Sequence, residues 1–185
     1  MVFFDKLFGR KKQDENRTKT EIAQPLVIDL SQTPEPFQPF ADEIVHLLLT
    51  NLQKLHLLEE EIFIRNEALR NPKEPNQVQP GQDELWEEYK LRRREIKNGI
   101  SLKPTDEGSG SLGKPTRYEY VKHPNTKYVF IMKSKLRAVV EVYFKKGKQI
   151  DMKDQFVFKK EDEQWKINTK KYGFPEEDKW YKDTL

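Results

Sequence analysis

The chain has 185 residues and no cysteine, and 35% of its residues are charged. Its length fits one domain with a tail, and the lack of cysteine excludes disulfides, thiolate metal sites and cysteine nucleophiles. The formal net charge of +3 lies in residues 1–20, so the remaining residues sum to zero. This balance argues against a nucleic-acid-binding domain, which needs lysines and arginines gathered on one face.

Residues 1–36 are predicted to form a flexible basic and proline-rich arm, and residues 37–185 the folded domain. In residues 1–12 the apolar Phe3, Phe4, Leu7 and Phe8 precede a basic run. This pattern is typical of a frayed terminus, and it leaves contact with an anionic membrane surface open as an alternative. No secretory signal and no apolar run of about 18 residues is recognised, so we expect a cytoplasmic protein.

Two helices are predicted next. Apolar residues recur with helical period along a first helix that begins between Pro39 and Asp42 and ends before Asn71, which precedes a proline. Its expected inward residues are Ile44, Leu47, Leu48, Leu52, Leu55, Leu58, Ile62 and Leu69. After a proline-containing loop, residues 83–98 form a second helix with Gly99 as its C-terminal stop. We expect Leu85, Trp86, Tyr89 and Ile96 to face inward, and Arg92, Arg93 and Arg94 to lie on a solvated face paired with glutamates.

From Thr116 onward the hydrophobic period becomes two, which predicts an antiparallel meander with one solvated face. A glycine-rich connection, residues 105–114, precedes it. Polar turns are predicted at residues 146–148 and 161–163. The inward positions begin with Tyr118 and Tyr120 and continue through residues 128–132, 136–144, 156–158 and 165–167.

Two helices followed by such strands indicate an α+β fold in which the helices cover one face of a curved sheet. Together with the closing sequence FVFKKEDEQWKIN, residues 156–168, this order resembles the nuclear transport factor 2-like fold from Phe37 to Phe174. The resemblance implies a cystatin-like α+β cone, with long N-terminal helices packed on a curved antiparallel sheet. Within that superfamily the long first helix, the charged second helix and the sequence WKINTKKYGF, residues 165–174, are most similar to the immunity proteins of bacterial polymorphic toxin systems.

This resemblance implies a bacterial cytoplasmic protein that binds and neutralises one cognate protein toxin, with no cofactor and no enzymatic activity. These families share no single inhibitory motif, so no contact residue is carried over from them. Related folds often pair through the sheet, and a homodimer stays open here as an analogy.

An enzyme or small-molecule carrier is the alternative function, because the fold also resembles that of ketosteroid isomerase and related dehydratases. Such a site needs a carboxylate base and a tyrosine or protonated acid that stabilises an oxyanion. The phenol is available in the tyrosines of the sheet. No base is expected in the inward register, since Glu119 and Glu141 are out of phase and Asp151 and Asp154 are placed near a turn or strand start. No catalytic residue is therefore assigned.

Two aromatic sets are the candidates for partner binding, because aromatic side chains often anchor interfaces. One is an open mouth of the sheet with Tyr118, Tyr120 and Tyr128. The other is the C-terminal segment with Phe174, Trp180 and Tyr181, for which the alternative is a tail packed over its own core.

A metal site is not expected. His46 and His56 lie ten residues apart on the first helix, whereas two zinc ligands on one helix are typically separated by three or four residues. The lysines of the solvated sheet face are interspersed with carboxylates and are expected to provide solubility and edge protection rather than nucleic-acid binding.

Overall fold

The computed structural model describes residues 26–74, 76–104, 112–123, 125–147 and 150–185. The alternative of membrane contact by residues 1–12 lies outside these ranges, as does most of the predicted glycine-rich connection. In the described part of the chain no helix is long and apolar enough to cross a bilayer.

Helix α1 (Ala41–Leu69) is the long helix that the periodicity predicts. Asp42 and Glu43 lie in its first turn, where carboxylates favour the helix dipole, and the chain becomes extended at Arg70. The predicted inward residues from Ile44 to Ile62 are buried, apart from the half-buried Leu47. Leu69 is exposed, because the buried stripe follows the sheet and the second helix and ends at Ile62.

Helix α2 (Gln82–Ile100) continues through Gly99, so the predicted stop at this glycine is wrong. The last turn is held by Ile100, which is buried in the main core. Leu85 and Tyr89 are buried as predicted, whereas Trp86 and Ile96 are only half-buried.

The arginine triplet of α2 is not wholly solvated. Arg92 pairs with Glu61 and Glu88 as predicted. Arg93 is buried, and its guanidinium donates a hydrogen bond to the carbonyl oxygen of Leu185 at 3.0 Å. The prediction of a solvated face is therefore wrong for Arg93, because the triplet turns around the helix and one of its members must face the domain.

Within the described residues the sheet has six strands in sequential order: β1 (Ile28–Asp29), β2 (Lys127–Ser134), β3 (Arg137–Lys146), β4 (Ile150–Glu161), β5 (Gln164–Gly173) and β6 (Tyr181–Asp183). Strands β2 to β5 form the predicted antiparallel meander. Strand β1 runs parallel to β2, so the sheet is mixed and not purely antiparallel. Strands of two or three residues, such as β1 and β6, are too short for alternation to reveal them.

The first predicted strand is absent. The segment that carries Tyr118 and Tyr120 instead forms a 3₁₀ helix, Glu119–Lys122, with i to i+3 hydrogen bonds from the amides of Val121 and His123. Two buried residues at i and i+2 are too few to distinguish a strand from a tight turn, so the alternation misled the prediction here.

Part of the predicted arm belongs to the domain. Beyond β1, the hydroxyl of Thr33 donates to the carbonyl oxygen of Phe130 at 2.6 Å and accepts from the amide of Met132 at 3.1 Å. Thr33 thus satisfies the edge of β2 where β1 ends, and it is itself buried.

The main core lies between α1 and the face of the sheet that carries Phe130, Val140, Phe156 and Ile167. A second, smaller cluster of four buried residues, Leu58, Ile62, Leu85 and Tyr89, joins the later part of α1 to α2. The opposite face of the sheet is only partly solvated: Arg137 and Lys159 on it are exposed, whereas Val129, Glu141 and Val157 are buried.

Candidate functional site

The three tyrosines predicted at an open mouth of the sheet lie in the interior. Tyr118 and Tyr120 are 0% exposed and Tyr128 is 6% exposed. The ring of Tyr120 packs against that of Phe144 with centroids 4.2 Å apart. A partner that docks on the surface as it stands therefore does not reach these three side chains.

The C-terminal candidates lie at the surface. Phe174 and Tyr181 contact each other there and Tyr181 stacks on Tyr172, whereas Trp180 packs against Lys153. We define the C-terminal aromatic cluster as Tyr172, Phe174, Trp180 and Tyr181, all of which are half-buried. The rings of Tyr172 and Tyr181 stack with centroids 5.3 Å apart, and Phe174 meets Tyr181 edge-on at 6.5 Å. The structure thus brings together Phe174 and Tyr181 and separates them from the buried tyrosines.

Two lysines lie over this cluster. The ammonium of Lys153 is 4.6 Å from the ring centroid of Trp180, and that of Lys179 is 4.7 Å from the ring of Tyr181. Gly173 permits the return of the chain, because a Cβ atom there would lie 2.7 Å from the carbonyl oxygen of Lys179. The segment between β5 and β6 is therefore packed tightly against the end of the sheet, with its aromatic faces partly open.

An ion network joins the buried Tyr120, Asp154 and Lys170 to the half-buried Arg117 and Asp183. The Tyr120 hydroxyl donates to Asp154 Oδ2 at 3.0 Å, and Lys170 Nζ lies 3.3 Å from the same oxygen. Lys170 also pairs with Asp183, which accepts a hydrogen bond from Arg117 at 2.6 Å. Two cations and two carboxylates thus balance each other, one of each buried and one of each half-buried.

The electrostatics of the network follow from burial and pairing. Burial raises the pKa of Asp154 above its ordinary value, although Lys170 and the Tyr120 hydroxyl oppose the rise. Burial alone would lower the pKa of Lys170, but the Tyr118 phenol and the two carboxylates outweigh it, so that pKa is raised. For Asp183, burial is outweighed by Lys170 and Arg117, and its pKa is lowered. Lys170 is therefore held as a cation between its two carboxylates.

One further polar atom in this interior is unpaired. The hydroxyl of Tyr118 has no hydrogen-bond partner among the described residues, and Lys170 Nζ lies 5.7 Å from its ring centroid. The carboxylate of Asp154, the phenol of Tyr120 and the ammonium of Lys170 are thus in contact, which is a combination found in sites of proton transfer. Asp154 is 3% exposed and already paired, so a substrate cannot reach it in this conformation.

Sequence reasoning missed this network for two reasons. Asp154 lies well inside β4 and faces inward with Phe156 and Phe158, so strict period two places it correctly and its assignment to a strand start was wrong. Lys170 follows an irregularity in the β4–β5 register, where Thr169 pairs with Val157 but Ile167 pairs with Phe158. Such a bulge shifts the alternation by one residue and hides the inward position of Lys170.

The histidines lie apart. His46 Nδ1 is 2.8 Å from the carbonyl oxygen of Asp42, whereas the buried His56 pairs with Glu60 at 3.2 Å. Burial lowers the pKa of His56, although Glu60 opposes the shift. Across the described ranges no group of three or more potential metal-ligating residues is found.

No family model, curated protein or solved structure matches this chain.

Proposed function

We propose that this protein binds a cognate toxin and neutralises it, and that the C-terminal aromatic cluster is the centre of the contact. The cluster is the observation that carries the proposal. Trp and Tyr side chains dominate the free energy of many interfaces. Here two of them lie at the surface: Tyr181 stacks on the ring of Tyr172, and Trp180 packs against the ammonium of Lys153. Side chains that are ordered before binding lose little conformational entropy when a partner docks.

The burial of the reactive groups favours a binder over an isomerase or dehydratase. Catalysis by Asp154 requires a carboxylate that can take a proton from a bound substrate. Its carboxylate is instead engaged by Tyr120 and Lys170 below the surface. The phenols that could stabilise an oxyanion are equally enclosed.

The proposal is tested by co-expression with the product of the gene immediately upstream. We expect a stoichiometric complex and rescue of cells from that product. Trp180→Ala should weaken the complex about 30-fold, which corresponds to a hot-spot loss of about 2 kcal/mol. The affinity is measured by calorimetry with purified components.

Trp86→Ala is the matched control. Trp86 is also half-buried, and Lys90 lies 5.7 Å from its ring, but it is on α2 and outside the cluster. The two variants remove the same side chain, and only Trp180→Ala should lose affinity. If no complex and no rescue are obtained, the toxin-binding function is rejected. If the complex forms and both variants bind equally well, the function stands and the aromatic cluster is not its centre.

A further inference from the structure

A pocket of about 380 Å³ opens at the edge of β5, in a region to which the proposed function gives no role. Strand β5 forms its floor. One wall comes from Ser101 and Lys103, directly after α2, and the other from residues 182–185. The volume is in the range of sites that hold small organic molecules.

The pocket exists because β5 is only partly covered along this edge. Ser101 bridges to Ile167, whose carbonyl oxygen accepts a hydrogen bond from the amide of Leu102 at 2.9 Å. The pairing with β6 begins only at Lys170, opposite Asp183. Between these two attachments, residues 168–169 have no strand neighbour on this side in the described part of the chain, and the bulge of β5 falls at the same place. Bulges often occur beside functional sites, and an open edge presents backbone groups for binding.

The charge of the pocket is strongly positive. Its lining includes five lysines, Lys97, Lys103, Lys170, Lys171 and Lys182, and one acidic side chain, Asp183. That carboxylate is already shared by Lys170 and Arg117. Over the described ranges Lys103, Lys171 and Lys182 form no ion pair. Three cations without an ion-pair partner among the described residues therefore surround the opening.

Two of these lysines lie next to each other on neighbouring strands. Lys171 lies directly opposite Lys182 in the β5–β6 register, where Cβ atoms are about 5 Å apart and like charges destabilise the pair. An anion bound between the two ammonium groups removes this repulsion. The aliphatic stems of the lysines provide apolar surface below the charges.

We propose that this pocket binds a small phosphorylated molecule, with its phosphates against Lys103, Lys171 and Lys182 and its apolar part along the aliphatic stems of these lysines. Lysine binds phosphate as a point charge and needs no planar partner. Three unpaired cations match a group with two or more negative charges better than a single carboxylate. Occupancy also links α2, β5 and β6, so the ligand stabilises the folded protein.

The test uses ADP as the probe, adenosine as the uncharged analogue and inorganic pyrophosphate as the anion alone, at constant ionic strength. We expect saturable ADP binding by calorimetry, a rise in the melting temperature with ADP, and no binding of adenosine. Lys171→Gln with Lys182→Gln should weaken ADP binding about 100-fold, about tenfold for each ammonium group that no longer meets a phosphate. Because this variant removes a like-charge repulsion, it should fold normally, which circular dichroism verifies.

The control variant combines Lys54→Gln with Lys73→Gln. Both lysines are exposed, lie outside the pocket and change the net charge by the same amount. ADP affinity equal to that of the unmodified protein in this control supports the site. The proposal is overturned if ADP does not bind saturably, or if both double variants lose affinity equally. Pyrophosphate binding as tight as that of ADP overturns the apolar part of the site. None of these results depends on toxin binding.

Discussion

Tyr118 and Tyr120 have equally buried rings but opposite hydrogen-bonding states. The Tyr120 hydroxyl donates to Asp154 at 3.0 Å, whereas that of Tyr118 has no partner among the described residues. Leaving a buried polar group unpaired costs about 1–3 kcal/mol, while a hydrogen bond to a charged group contributes about 1.5–3 kcal/mol. Removal of the same oxygen atom should therefore change stability in opposite directions at these two positions.

We expect Tyr118→Phe to raise the free energy of unfolding by about 1 kcal/mol and Tyr120→Phe to lower it by about 2 kcal/mol. Urea denaturation of the two variants, compared with the unmodified protein, measures both changes. Each variant is the control for the other, since ring burial and volume are matched. A loss of stability in Tyr118→Phe would show that its hydroxyl has a partner, such as a buried water.

At the scale of the elements, α1 and α2 are joined by an ion network on their exposed sides. Arg65 donates to both carboxylate oxygens of Glu88, at 2.8 and 2.7 Å, and Arg92 donates to both oxygens of Glu61 at 2.8 Å. Hydrogen bonds from Arg65 and Arg92 lower the pKa of Glu88 from 4.5 to about 2. Ionised Glu88 therefore favours the folded state.

The sign of the pH dependence follows from that lowered pKa. The contribution of Glu88 is fully present above pH 4.5 and is lost as the pH falls toward about 2. Glu88→Gln should reduce the fall in unfolding midpoint over this range, and added salt should reduce the difference between the two proteins. Glu84→Gln, on the same helix but in no ion pair of the described structure, is the control. If Glu88→Gln left the fall of the unfolding midpoint below pH 4.5 unchanged, the ion network would not contribute to stability in this range.

The face of the sheet that points away from α1 carries a second set of charges, and these repel. Arg137 lies opposite Lys159, and Lys159 lies opposite Lys166, across three adjacent strands. Lys159→Glu converts two repulsive pairs into attractive ones, each contributing about 0.2–1 kcal/mol. We expect the free energy of unfolding to rise by about 1 kcal/mol in thermal or urea denaturation, with Lys159→Gln intermediate. A variant less stable than the unmodified protein would show that these side chains point away from one another.

At the scale of the whole molecule, long regular patterns were predictable and short or shifted ones were not. The core stripe of α1 and the meander of β2 to β5 follow from periodicity sustained over many residues. β1 and β6 are too short to show a period, and the bulge in β5 moves Lys170 to the inner face without a signal in the sequence.

The candidate sites, too, could be identified from the sequence only in part. Aromatic composition suggested Phe174, Trp180 and Tyr181 as partner anchors, which stays a prediction; the structure places all three half-buried at the surface. Composition also pointed to Tyr118, Tyr120 and Tyr128, which are buried, because composition does not distinguish a rim from a core. The lysine pocket needed tertiary structure, since its walls come from segments about 80 residues apart in sequence.

The two cores of the molecule differ in size, and this predicts unequal local stability. The later part of α1 meets α2 through only four fully buried residues, whereas the earlier part packs in the large main cluster. A region with little buried apolar surface opens at lower free energy than the whole. In native-state hydrogen exchange, the free energy of opening should therefore be smaller for the amides of residues 60–69 and 83–92 than for those of residues 44–55.

Two matched truncations test this difference. Leu85→Ala and Leu48→Ala each remove the same side chain from a buried site, at an expected cost of about 2–5 kcal/mol. Leu85→Ala should speed exchange mainly in residues 60–69 and 83–92, because Leu85 packs in the smaller cluster alone. Leu48→Ala should lower protection everywhere, because the sheet and α1 unfold together. Equal effects of the two truncations on residues 44–55 would mean that both cores form one cooperative unit.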